Sequence, residues 1–383
     1  MTRKPQIVRP APEGGAHTSA LNFAPVRLTL AREAQGWTMR QLAALIDTTA
    51  SAVSQFESGL TRPSVDVLRR LAFVFGVEPP FFAVEGTRRI DPKRCHFRRR
   101  RTSTQAERRT VLARGELRLD IAEHLAQHVN FPPEELHAIP QRLRRNTTPK
   151  GIEALADAVR DAWDLGLGPI TQPMGLLEAH GVLVLEVPGH STRLDAFSAW
   201  VGSWPIIFLA SDQGSASRRR FDVMHELGHL LMHPHAHAGD PQREHEADAF
   251  ASALLLPRYP FSRECPRRLV WPHLLELKRR WQVSLAALVR RAYDLRIFSE
   301  ATYRRAFVQL AKLGWRMNEP EEPRRELPAL LQGALNLLLS AGVSLNDLAS
   351  ELGRRPAEIE QMIAPYSASE LPLFASSAEA AGS

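Results

Sequence analysis

The sequence predicts an α+β protein that is mostly α, and three observations lead to this fold class. Apolar residues recur at helical spacing from Pro25 onward. Three short runs between 181 and 210, GVLVLEV, AFSAWV and PIIFLA, are rich in β-branched and aromatic residues and are separated by turn-forming residues. They predict a small three-stranded sheet. Helical patterns then continue towards the C-terminal end.

The length of 383 residues accommodates two or three domains, and 44% hydrophobic with 24% charged residues is the composition of a globular protein. Changes in pattern along the chain divide it into six predicted segments. These are a disordered arm at 1–24, a bundle of about five helices at 25–85, a basic helical linker at 86–150, a domain containing the sheet at 151–318, a C-terminal helical region at 319–366 and a flexible tail at 367–383.

Charge and cysteine content narrow the functional class. The formal net charge of +7 favours an acidic partner, and nucleic acid is the usual one. Two distant cysteines, Cys95 and Cys265, do not make a disulfide framework. The first residues lack the apolar stretch of a signal peptide, and the longest apolar runs are too short to span a bilayer. We therefore expect a cytoplasmic protein with no membrane partner.

Residues 38–59, TMRQLAALIDTTASAVSQFESG, have the pattern of a helix-turn-helix motif, with Thr38 as an N-cap. The predicted buried positions are Leu42, Ala43, Ile46, Val53 and Phe56. The residues expected to meet double-stranded DNA are Ser51, Ser54 and Gln55 on the second helix, with Arg40, Thr61 and Arg62 as backbone contacts. The alternatives are an ordinary helical bundle, or a helix-turn-helix fold that binds protein.

The basic segment at 86–112 has two interpretations. It is either a solvated connector or a strip that contacts phosphates beside the first domain.

The stretch HELGH at 225–229 lies on a predicted helix that Ser215 or Ser217 caps and Pro234 ends. His225 and His229 are four residues apart, so both imidazoles project from one helix face and can reach one metal ion. Gly228 inside this helix costs about 1 kcal/mol relative to alanine, which suggests that another backbone or a substrate passes close by.

A catalytic zinc ion needs a third protein ligand, and the next predicted helix offers one. Glu244 and Asp248 are again four residues apart, on a helix that Pro257 ends. We predict Glu244 as the third ligand and Asp248 as the acceptor of a hydrogen bond from a ligating histidine. Glu226 then serves as the general base that takes a proton from water. The alternative is that all of these are surface residues of two amphipathic helices.

Other potential metal ligands lie near this set in the sequence. His233, His235 and His237 fall in a Pro- and Gly-containing loop and are expected to be solvated, and Glu246 points elsewhere on its helix. A Cys95 thiolate is an alternative ligand that would silence the open zinc position, although no pattern places it there.

Residues from Pro25 to Ala83 resemble the XRE (Cro/CI-type) family of repressor domains. The resemblance rests on Thr38, Leu42, Ala43, Val53, Ser54, Glu57, Gly59, Pro63 and Leu68. This chain has Met39 where the family often has glutamine. Together with the small Ala50 and Ala52, this departure implies that affinity for DNA rests more on phosphate contacts or on dimerisation; a homodimer is left open.

Residues 151 to about 260 resemble the ImmA/IrrE family of zinc metallopeptidases. The resemblance rests on GPI at 168–170, LEAHGVLV at 177–184, DAFSAW at 195–200, RFDVMHELGHLLMH at 220–233 and EHEADAFASALLLP at 244–257. It implies a gluzincin-like mini-metallopeptidase fold with His225, His229 and Glu244 as zinc ligands and Glu226 as general base. Asp248 stands where the family often has asparagine.

The combined resemblance implies a DNA-binding zinc endopeptidase that cleaves an XRE-type repressor, in stress response or in the control of mobile elements. The rival interpretation is a transcription regulator whose metallopeptidase-like domain senses a ligand or metal and cuts nothing. A third, a toxin–antitoxin component, depends on genomic context alone.

Overall fold

The computed structural model describes residues 6–7, 22–84, 90–91, 95, 104–188, 196–210, 214–234 and 240–363. Most of the predicted arm, the whole predicted tail and much of the basic segment at 86–112 lie outside these residues. The described part is mostly helical with a small three-stranded sheet, which confirms the predicted fold class.

The N-terminal bundle consists of four α-helices and a 3-10 helix. They are α1 (Pro25–Gln35), α2 (Met39–Leu45), α3 (Ala50–Glu57), α4 (Val65–Phe75) and the 3-10 turn Pro79–Ala83. Thr38 forms a capping box with Gln41 at the start of α2, as predicted. Thr49 and Ser64 cap α3 and α4, and the left-handed Gly36 and Gly76 end α1 and α4.

The core of this bundle contains every position predicted for it. Leu42, Ala43, Ile46, Val53 and Phe56 are all buried and belong to one apolar cluster. The periodicity of α2 and α3 predicts these positions because both helices are short and bury a single face.

A long helix, α5 (Gln105–His128), follows and starts with a second capping box between Thr104 and Glu107. A two-residue strand after it, β2 (Val129–Asn130), pairs antiparallel with the N-terminal β1 (Gln6–Ile7). Although α5 lies in the segment predicted as a basic linker, Leu112, Leu119 and Leu125 on it are buried. This helix is therefore part of a core rather than an exposed connector.

The three predicted strands form one mixed sheet. They are β3 (Leu183–Val187), β4 (Ala196–Val201) and β5 (Trp204–Ala210), in the order β3-β5-β4. Strand β3 runs parallel to β5, and β4 is antiparallel to β5, so β4 lies at one edge of the described sheet. Gly115 lets α5 lie directly on this sheet, because a β-carbon there would come within 2.8 Å of the Phe208 ring.

The remaining helices of the central region share one apolar core with the other face of the sheet. They are α6 (Gln141–Arg144), α7 (Pro149–Ala162), α8 (Pro173–Ala179), α9 (Ala216–Met232), α10 (Pro241–Leu255), α11 (Arg258–Glu264), α12 (Trp271–Trp281), α13 (Leu285–Asp294) and α14 (Glu300–Lys312). The residue just before the helix caps several of them through its side chain, namely Thr148, Ser215, Asp240, Ser284 and Ser299. Their apolar faces form the largest core of the chain.

The charged break at 319–328 is attached to the central region. The fully buried Lys278 ammonium lies 2.6 Å from Glu319 Oε2 and 2.5 Å from Glu322 Oε1. Two carboxylates therefore compensate the burial of this ammonium.

Three C-terminal helices complete the fold, namely α15 (Leu330–Ser340), α16 (Leu345–Glu351) and α17 (Pro356–Ile363). They pack against α5 and the sheet, and the Gly353 carbonyl accepts a hydrogen bond from the Glu78 backbone N–H of the N-terminal bundle at 2.9 Å. No helix in the described part of the chain combines the length and apolar character that a bilayer crossing requires.

Candidate functional site

Helix α9 carries the HELGH stretch. Ser215 provides its N-cap by accepting the Arg218 N–H at 3.4 Å, whereas Ser217 donates its hydroxyl to Glu322 at 2.9 Å. Of the two predicted caps, the first is therefore the one used. The helix continues to Met232 and buries almost its whole surface, because the sheet lies on one side of it and α10 on the other.

His225 and His229 lie side by side in the interior. Each is 1% exposed, and their Nε2 atoms are 3.1 Å apart. A helical spacing of four residues places the two rings one turn apart, and burial on both sides holds their rotamers. The two imidazole nitrogens therefore face the same small volume.

Glu244 approaches this volume from α10, whose first turn Asp240 caps. Its Oε2 lies 3.5 Å from His225 Nε2 and its Oε1 lies 3.5 Å from His229 Nε2. One potential ligand atom from each of the three residues lies within 4.8 Å of the others. The tertiary structure thus brings together all three residues that were predicted as metal ligands.

The outer nitrogen of His225 is 2.8 Å from Asp248 Oδ1. If Nδ1 donates this hydrogen bond, the lone pair of Nε2 is free for a metal ion. Burial lowers the pKa of His225, but the hydrogen bonds with Asp248 and Glu244 outweigh burial and raise the pKa to about 9. A proton and a metal ion therefore compete for Nε2. Burial raises the pKa of Glu244, but hydrogen bonds from both histidines outweigh it and hold the pKa well below its ordinary value.

The expectation that His233 is solvated is wrong. Its ring is 6% exposed, its Nδ1 lies 3.1 Å from His229 Nδ1, and its Nε2 lies 2.8 Å from Glu246 Oε2. Because burial lowers its pKa, His233 is held in its neutral form. Glu246 contacts His233 rather than the ligand atoms, and it extends the polar chain from His229 to α10.

A signal for His233 was present in the sequence, because positions 225, 229 and 233 follow one another at intervals of four. Pro234 and the loop that follows it instead indicate the end of the helix, which predicts an exposed side chain at position 233. His235 and His237 lie outside the described residues.

Glu226 is 1% exposed, and its Oε2 accepts a hydrogen bond from the Ser198 hydroxyl at 2.7 Å. Ser198 lies on the edge strand β4, and the Trp200 indole two residues later donates to the Leu230 carbonyl at 3.2 Å. These contacts hold β4 along α9. No pattern in the sequence predicts the contact of Ser198, because the two residues are far apart in the chain.

Gly228 faces α10. A β-carbon at this position would lie 3.0 Å from Phe250 Cδ1 and 3.3 Å from Ala247 Cα. The close backbone that the glycine was predicted to accommodate is therefore the helix that carries Glu244 and Asp248.

Cys95 is not a member of the three-residue cluster. It is fully buried, and its thiol donates to the Asp91 carbonyl at 3.3 Å. Burial raises the pKa of this thiol well above its ordinary value, which disfavours the thiolate that a metal ion requires.

The donor set of the cluster fits a divalent metal ion. Two imidazole nitrogens and one carboxylate oxygen converge on one point, and a hydrogen bond from a carboxylate orients one of the imidazoles. Outside a metal site, two buried ring nitrogens would gain little from facing each other so closely.

The six residues predicted to contact DNA are all exposed, namely Arg40, Ser51, Ser54, Gln55, Thr61 and Arg62. A buried bidentate ion pair holds the second helix of the motif in place. Arg32 on α1 donates from Nε to Glu57 Oε1 at 2.6 Å and from Nη2 to Glu57 Oε2 at 2.8 Å. The end of α3 is therefore anchored while its outer face remains accessible.

Comparison with known families matches both halves of this arrangement. Residues 28–82 match the model described as helix-turn-helix, and residues 177–293 match a peptidase family described as the IrrE N-terminal-like domain. No curated protein matches the chain. Together the two matches support a regulatory protein with a DNA-binding module and suggest a metallopeptidase. The chain thus combines a segment that matches helix-turn-helix domains with a segment that matches the IrrE N-terminal-like domain.

Proposed function

We propose that the chain is a DNA-binding, zinc-dependent endopeptidase that cleaves a transcriptional repressor. One observation carries the proposal. The buried Glu226 carboxylate lies on the same helix turn as two of the three convergent donors, and Ser198 orients it. A site that only held a metal ion would not need this carboxylate.

In this proposal His225, His229 and Glu244 hold the zinc ion. Bound there, zinc supplies Lewis acidity, which lowers the pKa of water and polarises the scissile carbonyl. Glu226 takes a proton from water and passes it to the leaving amine. The Ser198 hydroxyl keeps one carboxylate oxygen in place, and Asp248 orients His225.

A cleft beside this site has the size for a segment of polypeptide. Its volume is about 850 Å³, and its lining includes Trp200 and Gly202 of the β4–β5 hairpin and His233 of the polar chain. Arg144, Arg145 and Arg243 add positive charge to it. An extended peptide is a natural occupant, because the edge strand beside the cleft can pair with it.

The helix-turn-helix domain binds an operator in double-stranded DNA through α3 and places the peptidase near a DNA-bound XRE-type repressor. The exposed face formed by Ser51, Ser54 and Gln55 supports this placement.

A second candidate function is a transcription regulator whose metallopeptidase-like domain senses a ligand without cleavage. A cavity of about 240 Å³ supports it, because Asp248 lines this cavity together with Arg218, Asp222 and Arg290. A small molecule bound there would reach the side chain that orients His225. The buried Glu226 favours the peptidase, since a sensor has no use for a general base.

The test is cleavage by the full-length chain. The zinc-loaded protein is incubated with the repressors encoded near it, and with itself, and the products are identified by mass spectrometry. The Glu226→Gln variant should bind zinc but lose cleavage, whereas Glu276→Gln, a substitution of an exposed carboxylate on α12, should cleave normally. Specific operator binding without cleavage of any of these proteins would reject the peptidase in favour of the sensor.

The ligand set has its own test. The His229→Ala variant should bind about one equivalent of zinc less than the wild-type chain, because it removes one of the three donors. Undiminished zinc in this variant would contradict the ligand assignment.

A further inference from the structure

A second cluster of metal-binding side chains lies outside the site described above. His124 and His128 are one turn apart near the end of α5, and Glu351 is the last residue of α16. The proposed peptidase uses none of them. Helix α5 lies on the sheet face opposite α9, so the two clusters are separate.

The geometry of this cluster resembles that of the first one. The two imidazole rings are 5.1 Å apart between centroids, and His124 Nε2 lies 3.2 Å from Glu351 Oε2. One potential ligand atom from each residue lies within 4.8 Å of the others. A helical spacing of four again directs two imidazoles to one point, and a carboxylate from another helix completes the set.

The histidine nitrogens provide an independent observation. The Nε2 atom of His128 is buried and makes no hydrogen bond within the described part of the chain, while the buried Nε2 atom of His124 faces only the Glu351 carboxylate. A buried polar atom without a hydrogen bond costs about 1–3 kcal/mol, so such atoms are rare unless they have a function.

We propose that His124, His128 and Glu351 bind a divalent first-row transition metal ion through both Nε2 atoms and the carboxylate. Imidazole with carboxylate is the donor set of zinc and its neighbours in that row rather than of calcium or magnesium. The Glu351 side chain is 54% exposed, so the ion has a route from solvent and room for water as a further ligand.

The position of this site gives the ion a structural role. One turn before His124, Asp120 on α5 binds Arg27 of the N-terminal bundle at 2.6 Å. Two residues after Glu351, Gly353 accepts the hydrogen bond from Glu78 of the same bundle. An ion that joins α5 to α16 therefore ties together the two elements on which the helix-turn-helix domain rests, and its occupancy stabilises the position of that domain.

The experiment uses zinc alone as the probe and the full-length chain in the His229→Ala background, so that the first cluster does not contribute. Competition with a chromophoric chelator measures zinc stoichiometry and affinity, and a thermal melt follows the folded state. We expect about one equivalent of zinc and a rise in melting temperature when zinc is added. Adding His128→Gln should weaken the affinity at least about tenfold and remove the rise.

Two further variants make the result decisive. Glu351→Gln changes an exposed side chain and should weaken zinc binding without affecting folding, which covers the case in which His128→Gln unfolds. His180→Gln is the matched control, because His180 pairs with one carboxylate, Glu135, at 2.7 Å and belongs to neither three-residue cluster.

Zinc affinity that is equal in the His229→Ala chain and in both cluster variants would overturn the proposal and leave a plain His–Glu ion pair. Failure of the peptidase assay has no bearing on this outcome.

Discussion

The Ser198 hydroxyl donates a hydrogen bond to Glu226 Oε2 across 2.7 Å, and both residues are buried. The contact joins the edge strand of the sheet to the helix that carries two of the predicted metal ligands. It holds one carboxylate oxygen in place and so fixes the orientation of the Glu226 carboxylate.

The first prediction concerns this hydrogen bond. Ser198→Ala should reduce the rate of repressor cleavage roughly tenfold, a part of the factor that general base catalysis supplies, because the carboxylate loses its orientation. Zinc content should not change, since Ser198 contacts none of the three predicted ligands. Cleavage rates and metal analysis on the same preparation check both statements, and a variant that cleaves at the wild-type rate would show that the hydrogen bond has no catalytic role.

A glycine pair tests the packing of α9 on α10. Gly228→Ala should destabilise the chain by about 1–3 kcal/mol, because the added methyl group meets buried Phe250 and the backbone of Ala247. Zinc affinity should fall as well, because α10 carries Glu244. Gly333→Ala on α15 is the matched control, because the added methyl group meets no atom within 4 Å from any other element in the described part of the chain. There the gain in helix propensity should stabilise the chain by up to about 1 kcal/mol. Denaturant unfolding of both variants measures the difference, and similar values for both would contradict the packing argument.

Gln55 tests base recognition by α3. Gln55→Ala should reduce the preference for the operator over unrelated DNA by about 1–3 kcal/mol, because a glutamine that reads a base edge contributes to discrimination. The ratio of the affinities for the two DNAs, determined at one salt concentration, gives this preference. An unchanged preference would assign Gln55 to phosphate contacts or to no contact.

Arg62 tests the phosphate contacts. Arg62→Ala should weaken binding to operator and unrelated DNA alike and reduce the slope of log K against log salt by about 1, because one cation fewer replaces counterions. Arg305→Ala, a substitution of an exposed arginine on α14, should leave the slope unchanged. A loss of affinity without a change in slope would argue against a phosphate contact.

The buried Glu178 predicts a pH dependence of stability. Burial raises its pKa to about 7, although the backbone N–H groups of Ala329 and Leu330 oppose the shift. The folded state therefore holds this proton more tightly than the unfolded state. Protonated Glu178 therefore stabilises the folded state. This stabilisation is full below the pKa of Glu178 in the unfolded chain, near 4.5, and is lost as the pH rises through its pKa in the folded chain, near 7. Between pH 4.5 and pH 8, the free energy of unfolding of the wild-type chain should fall by up to about 3 kcal/mol more than that of the Glu178→Gln variant, which has no carboxyl group to titrate. Denaturant unfolding across this pH range measures the difference. A wild-type chain whose stability is flat over this range would refute the shift.

Local patterns predicted most of the fold and the ligand cluster. Thr38 caps α2, apolar periodicity identifies the core of the bundle, and the three strands match the three β-branched runs. The spacing of four between His225 and His229, repeated at Glu244 and Asp248, predicts side chains on one helix face. Each of these features depends on interactions within a few residues or on one helix, so a single stretch of sequence contains the information.

Contacts between distant segments could be found only in the tertiary structure. The pairing of Ser198 with Glu226, the burial of His233 and the packing of α5 on the sheet all depend on which surfaces meet. The cluster of His124, His128 and Glu351 also brings together two helices more than two hundred residues apart in the chain. The sequence by itself determined which helices and strands form and which faces they bury, because periodicity and capping are local. The tertiary structure decided which of those faces share a site, because that depends on packing between elements that no local pattern relates.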